Sequence, residues 1–415
     1  MPVLRNIGYL ARCLPEGGQD DVHPVRGAAL AWEHGRIAWA GPESDLPAAY
    51  DGWPSEDAGG RLVIPGLVDC HTHLAFGGWR GDEFELRIRG RSYQEIAASG
   101  GGILSTMART RGLDAEALLA RCRGFLLEMA SLGVTTVECK SGYGLEEATE
   151  LRLLEVYRAL AREGPQRIVP TLLAAHVVPP EFRERREEYV ALVVDRIIPA
   201  AATGGLARFC DVFVEEGAFT VAEGRRILQA GLAHGLRPKL HADQLTACGG
   251  AELAAEVGAA SADHLECISP GGIAAIRQAG VVAVSLPLAT LYLRQAPMPA
   301  RALIDAGVPV AVATDFNPGS APSYHLPLAM MLGCTIQRMT PAEVLKGATI
   351  IAARAIGVDQ QSGSLAVGQA ADFALIDAPD LNHWMYHFRP NACLRTVAAG
   401  RTIWQTPAPA APNSR

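Results

Sequence analysis

A chain of 415 residues that is 49% hydrophobic and 20% charged, with 43 glycines and 27 prolines spread along its length, has ordinary globular composition, which excludes a collagen-like or disordered chain. It is long enough to bury a sizeable core without staples. The 37 basic and 44 acidic side chains leave a net charge of −7, so there is no basic footprint for nucleic acid.

Residues 1–61 hold short alternating pieces. One of them, AALAWEHGRIAWAG, reads as a hairpin turning near Gly35. Polar Arg5, Arg12, Glu16, Asp20 and Asp21 interrupt the N-terminus, and Ser285, Pro287 and Thr290 interrupt the longest apolar stretch, Ala279 to Leu293. Neither a cleavable signal nor a membrane span is expected. The nine cysteines are scattered, with none at CxxC spacing, and read as reduced thiols of a cytoplasmic protein.

From Leu62 onward, short β-rich runs alternate with helix-period segments, the pattern of repeated βα units. Eight runs are present: RLVIPGLVDC before His71, VTTVECK ending at Lys140, RIVPTLLAA before His176, FCDVFVEE ending at Glu216, RPKL before His241, SAD before His264, VVAVSLP ending at Pro287 and PVAVAT before Asp315. Helix starts at Asp114 and Thr220, with stops at Gly133 and Gly235, punctuate them. Length alone suggests two or three domains of average size, but eight βα units imply a (β/α)8 TIM barrel over 62–361. Residues 362–405 return to the style of the N-terminus, and the two flanks together (1–61 and 362–405) are expected to form one small β-sandwich domain. Residues 406–415, rich in Pro and Ala, are expected to be a flexible tail.

An α/β barrel carries its site at the C-terminal ends of its strands. Those ends hold His71 with His73, Lys140, His176, Glu215 with Glu216, His241 with Asp243, His264 and Asp315. His71 and His73 flank Thr72, and alternate strand residues point the same way, so both imidazoles can face one ion. With His241 and Asp315 they make a three-nitrogen, one-carboxylate set that suits zinc or iron. An ion so held brings the pKa of water toward neutrality, and the expected reaction is hydrolysis. His264 can serve as general base or stabilise an oxyanion, with Asp315 sharing the proton handling. His176 reads as a substrate-facing donor. The fourth run ends in Glu215 and Glu216 rather than a lysine that could bridge two metals, which favours a mononuclear site. Lys140 reads as a partner for a nearby carboxylate, and Arg80, near Glu83, as a fork for a substrate carboxylate.

The segments PGLVDCHTHLAFGGWRGDEFELR, GGGILSTMART, VECKSGYGL, LLAAHVVPPEF, KLHADQL, SADHLE and ATDFNPGS resemble the amidohydrolase superfamily and, within it, the imidazolonepropionase family. The resemblance runs from Leu62 to the region of Arg401. HTH and a late Asp are shared by many deaminases and cyclic amidases, whereas GGGILST, KSGYGL, AHVVPPE and TDFNPGS together are much narrower. It implies hydrolytic opening of 4-imidazolone-5-propanoate to N-formimidoyl-L-glutamate in histidine degradation. One Zn2+ or Fe2+/Fe3+ per subunit would sit on His71, His73, His241 and Asp315. Arg80, Tyr143, His176 and Gln244 would contact the substrate, with Asn317, Gly319 and Ser320 completing the pocket. The resemblance also implies a homodimer. Some members have Glu where this chain has Gln244, and a neutral amide cannot shuttle protons, so base duty would fall on His264 with Asp315. Tyr143, between Gly142 and Gly144, is placed to close over substrate. Two other readings stand beside this one: another mononuclear amidohydrolase, such as a heterocycle deaminase or cyclic amidase, and an inactive barrel scaffold. Arg80 separates the first two, and the intact ligand set argues against the scaffold.

Overall fold

The structure is a computed structural model and describes residues 2–91, 95 and 101–407. Ser99 and Gly100, before and within the GGGILST motif, and the tail from residue 408 lie outside the described residues.

Eight strands form one parallel sheet in sequence order: β1 (Leu67–Asp69), β2 (Val134–Lys140), β3 (Arg167–Ala175), β4 (Phe209–Val214), β5 (Arg237–Ala242), β6 (Ser261–His264), β7 (Val282–Ser285) and β8 (Val310–Val312). The sheet closes just past the ends of β1 and β8. Thr72 bridges Phe316 in parallel, the Asp315 amide donates to the His71 carbonyl at 3.0 Å, and the His73 amide donates to the Phe316 carbonyl at 2.8 Å. Below this seam Asp69 accepts the Thr314 hydroxyl at 2.6 Å and the Thr314 amide at 3.1 Å. Closure of the barrel and assembly of the site are therefore one structural event, since the seam residues are His71, His73 and Asp315.

The helices between strands start where the sequence signals them. Asp114 accepts the Ala117 amide at the head of Ala115–Ser131, and Thr220 forms a reciprocal capping box with Glu223 at the head of Val221–Ala233. Gly133 and Gly235 follow these helices with φ of 93° and 81°, left-handed backbone that favours glycine.

The chain flanks build a second, mixed sheet. Its order is Arg401–Gln405, Cys393–Ala398, Phe373–Ile376, Leu62–Pro65, Val3–Ala11, Pro24–Glu33 and Arg36–Pro42, with Ser55–Asp57 beside Val3–Ala11. The hairpin turns at His34 and Gly35, both at positive φ, as a type I′ turn requires. The sheet curls around its own core, so that Trp32 and Phe373, from strands three places apart, meet edge to face at 5.0 Å. One expectation is corrected. The run before His71 is not a single barrel strand: Leu62–Pro65 pairs with Val3–Ala11 and Phe373–Ile376, and only Leu67–Asp69 joins the barrel. The crossing falls at Gly66, where a side chain would collide with Thr135.

Candidate active site and metal centre

His71, His73, His241 and Asp315, which leave three different strands, converge at the C-terminal mouth of the barrel, each at most 3% exposed. Nε2 of His71 and Nε2 of His73 lie 3.4 and 3.5 Å from Oδ1 of Asp315. Nε2 of His241 lies 3.4 Å from Nε2 of His73. Donor atoms about 2.1 Å from one ion at tetrahedral angles stand roughly 3.4 Å apart, so these separations match a shared cation.

Proton placement points the same way. The His71 Nδ1 is 2.7 Å from Asp263 and the His241 Nδ1 is 3.2 Å from Asp211. A carboxylate can only accept, so each neutral ring carries its proton on Nδ1 and turns a bare Nε2 inward. Nε2 of His71 is buried without a hydrogen-bond partner, a costly arrangement that a cation removes. The residues fit a metal ion, and His71, His73 and Asp315 form one of two clusters of metal-ligating groups among the described residues, the other being His71, His241 and His264.

Desolvation drives the His241 imidazole well below its ordinary pKa and also lowers that of His73. For His71, burial and Lys140 push downward, but the facing carboxylates of Asp263 and Asp315 outweigh them and the net direction is up. Burial opposes ionisation of Asp315, and the facing imidazoles of His71 and His73 overcome it, holding the carboxyl well below its ordinary value. The directions for His73, His241 and Asp315 favour ligands in their metal-binding forms, whereas the upward direction for His71 opposes it.

A buried charged layer supports the histidines from beneath. Lys140 Nζ contacts Glu138 at 2.9 Å, Asp211 at 2.8 Å and Asp263 at 3.3 Å, and Lys239 lies 3.7 Å from Asp263. Lys140 is thus a carboxylate partner and no metal bridge. Glu215 has a similar supporting role. It accepts the Leu245 amide at 2.8 Å and the Thr246 hydroxyl, folding the loop that carries Gln244.

The ligand set opens into a cavity whose walls include Arg80, Tyr143, His176, Gln244 and His264, with Asn317, Gly319 and Ser320 on the loop after β8. Arg80 gives Nε and Nη2 to one oxygen of Glu83, at 2.8 and 2.6 Å. Its Nη1 lies against Gly319, close enough that a Cβ there would overlap it. Asn317 is occupied in shaping the loop. Its amide donates to the Asp315 carbonyl at 2.6 Å, and its oxygen accepts the amides of Gly319 and Ser320, both at 2.8 Å.

Two expectations change. Tyr143 is only 3% exposed, and its loop is pinned by the buried Glu150, which accepts the amides of Gly142, Gly144 and Leu145 at 2.7–3.0 Å. It forms a fixed wall and does not need to close. His176 stacks on His73 at 5.2 Å, and its Nδ1 donates to the Gly142 carbonyl at 3.1 Å. Burial, with help from the neighbouring His73, takes its pKa down to about 3. The ring is neutral with its proton already engaged, so its Nε2 is an acceptor, not the donor expected. Arg87 and Phe213 also line the cavity and were not singled out by the sequence. Arg87 follows Arg80 by two helical turns, and this spacing on one helix face was the available signal.

Among known proteins, the amidohydrolase family pattern matches residues 219–403. The chain is 49% identical over 389 residues to an imidazolonepropionase of Myxococcus xanthus, covering 93% of this chain and 92% of that one. It is 45% identical over 404 residues to an imidazolonepropionase of Cupriavidus taiwanensis, covering 96% of each. The fold is shared with a 5-methylcytosine deaminase from Klebsiella pneumoniae liganded with phosphonocytosine (TM-score 0.74, 17% identity, 98% of both chains). It is also shared with a mutant of the atrazine chlorohydrolase TrzN from Arthrobacter aurescens complexed with zinc and atraton (TM-score 0.70, 17% identity, 97% of this chain and 95% of that one).

Proposed function

The chain belongs to the imidazolonepropionase family of metal-dependent amidohydrolases, and from that premise we propose that it opens the ring of 4-imidazolone-5-propanoate by hydrolysis to N-formimidoyl-L-glutamate. The observation that carries the reading is the convergence of three imidazoles and one carboxylate on the floor of a cavity whose wall holds Arg80.

His71, His73, His241 and Asp315 would hold one zinc or iron ion, which when bound acidifies water and polarises a carbonyl. The chain's own groups do the rest. Arg80, steadied on Glu83, turns Nη1 toward the propionate carboxylate. The bare Nε2 of His176 accepts a ring N–H, and Tyr143 and Gln244 border the ring. His264 takes one proton from the attacking water as its oxygen bonds to the ring carbonyl carbon. It returns that proton to the ring nitrogen as the C–N bond breaks. The water oxygen ends in the new carboxylate, and its second proton leaves to solvent. Gln244 is neutral and accepts no proton, so proton handling rests with His264 and Asp315.

Among the described residues no helix is long and apolar enough to cross a membrane, and the reading includes a cytoplasmic homodimer acting on a small molecule. The test is Arg80→Met. KM for the propionate substrate is expected to rise roughly 10- to 100-fold with kcat and metal content near wild type, because a ground-state carboxylate contact is lost. An unchanged KM overturns the assignment of Arg80.

A further inference from the structure

The backbone turns through left-handed conformations at two consecutive non-glycine residues where β6 ends: His264 has φ of 82° and Leu265 of 64°. Such conformations are strained for residues with a Cβ and persist only where the surroundings over-determine them. The consequence here is local. The turn brings the side chain of Glu266 back alongside His264, with Oε2 3.6 Å from the imidazole Nδ1. Both side chains are at most 3% exposed, and neither of these two atoms has a hydrogen-bond partner. The other Glu266 oxygen accepts the hydroxyl of Thr290 at 3.1 Å, from the helix Pro287–Leu293, and Thr290 is itself 2% exposed. The imidazole ring stands 5.8 Å from the His71 ring and 5.5 Å from the His241 ring, centroid to centroid.

We propose that Glu266 is a positioning residue for the reaction: anchored by Thr290, its carboxylate holds His264 in the tautomer protonated at Nδ1, so that Nε2 is bare toward the cavity and able to receive the proton of the attacking water. A carboxylate facing Nδ1 fixes ring orientation as well as tautomer and stabilises the imidazolium that forms when the proton arrives. The separation is longer than a full hydrogen bond, and catalytic contacts of this kind commonly shorten only when the reacting complex forms. His264 lines the cavity and Glu266 stands behind it, so the effect of Glu266 passes through His264. The strained turn also has a use: an extended backbone at His264 and Leu265 would send residues 264 and 266 along a strand rather than folding one against the other.

This inference rests on the reading of His264 as the proton acceptor, and the experiment separates the two. Glu266→Gln, His264→Asn and the double variant are compared by steady-state kinetics on 4-imidazolone-5-propanoate and by metal content per chain. The expected result is a fall in kcat of about 10- to 100-fold in Glu266→Gln, with KM and metal content unchanged. In the His264→Asn background Glu266→Gln should cost nothing further, since residues acting as one unit are not additive. Full activity in Glu266→Gln while His264→Asn is impaired overturns the proposal and leaves the base assignment standing. Multiplying losses in the double variant also overturn it, because they show that Glu266 acts independently of His264. Full activity in His264→Asn overturns both. Should Glu266→Gln fold poorly, Thr290→Val removes only the anchoring hydroxyl from an isosteric side chain. A fall in kcat of about 3- to 10-fold is then expected without loss of metal, and unchanged kcat in a folded Thr290→Val protein counts against the anchored carboxylate.

Discussion

Replacing Gly319 by alanine is expected to weaken substrate binding without touching the metal or the fold. Gly319 has no positive φ, so alanine strains no backbone, but its Cβ would overlap Nη1 of Arg80 and lie 3.0 Å from Cζ. Carbon atoms settle at about 3.5–4.0 Å, so the guanidinium must retreat by roughly 0.5–1 Å. Nη1, which the Cβ overlaps more deeply than Cζ, must move by about 1 Å or more, and that takes a hydrogen bond of about 2.9 Å past the edge of its range. A hydrogen bond to a charged group contributes about 1.5–3 kcal/mol, equivalent to roughly 10- to 150-fold in affinity. Because the guanidinium is moved and not deleted, the lower end applies: a rise in KM of about 10-fold, with kcat within a few-fold and the same metal content. Steady-state kinetics on wild type, Gly319→Ala, Arg80→Met and the double variant provide the assay. In the Arg80→Met background the alanine should have no further effect. An unchanged KM in Gly319→Ala, or an equal rise in the absence of Arg80, would refute the placement of Arg80 against this glycine as the carboxylate clamp.

His241→Ala should take the purified protein from about one bound ion per chain to nearly none, with turnover lost in parallel; full activity in metal-free protein contradicts the metal assignment. Gln244→Glu is expected to retain turnover with the same pH profile, and a large change in that profile would show that proton transfer passes through position 244. A third expectation concerns stability. Burial works against ionised Glu223, yet hydrogen bonds from Arg186 and Thr220 hold its pKa down at about 2. A depressed carboxyl stabilises the fold above the ordinary value of about 4.3 and loses that contribution as pH falls toward 2. Glu223→Gln should therefore lower Tm at pH 7, with the difference from wild type closing between about pH 4 and pH 2. A difference that persists unchanged at pH 2 argues against the ion pair.

The strand ends that carry the candidate ligands are readable because a barrel places them at one mouth, and each stands after an apolar run. The layer beneath was harder to see. Glu138 and Lys140, like Lys239 and His241, are two residues apart within strands and so share the inward face. Their charges inside apolar runs were the signal, but only three-dimensional closure pairs Lys140 with Asp211 and Asp263. Periodicity could not divide the run before His71, since Leu62–Pro65 and Leu67–Asp69 are both fully buried and apolar patterning is the same on either side of Gly66. The donor role expected of His176 failed for a related reason. Its proton is engaged by a backbone carbonyl, that of Gly142, and a carbonyl carries no mark in a sequence. The Glu266 contact with His264 depends on two left-handed residues that local propensity disfavours.

The most direct measurement is to supply enzymatically generated 4-imidazolone-5-propanoate to the metal-loaded protein, follow loss of its ultraviolet absorbance and identify the product. Rapid loss with formation of N-formimidoyl-L-glutamate, abolished by a chelator and restored by zinc or ferrous iron, is the expected result. A metal-loaded, folded protein that leaves the substrate's absorbance to decay at the uncatalysed rate would contradict the account.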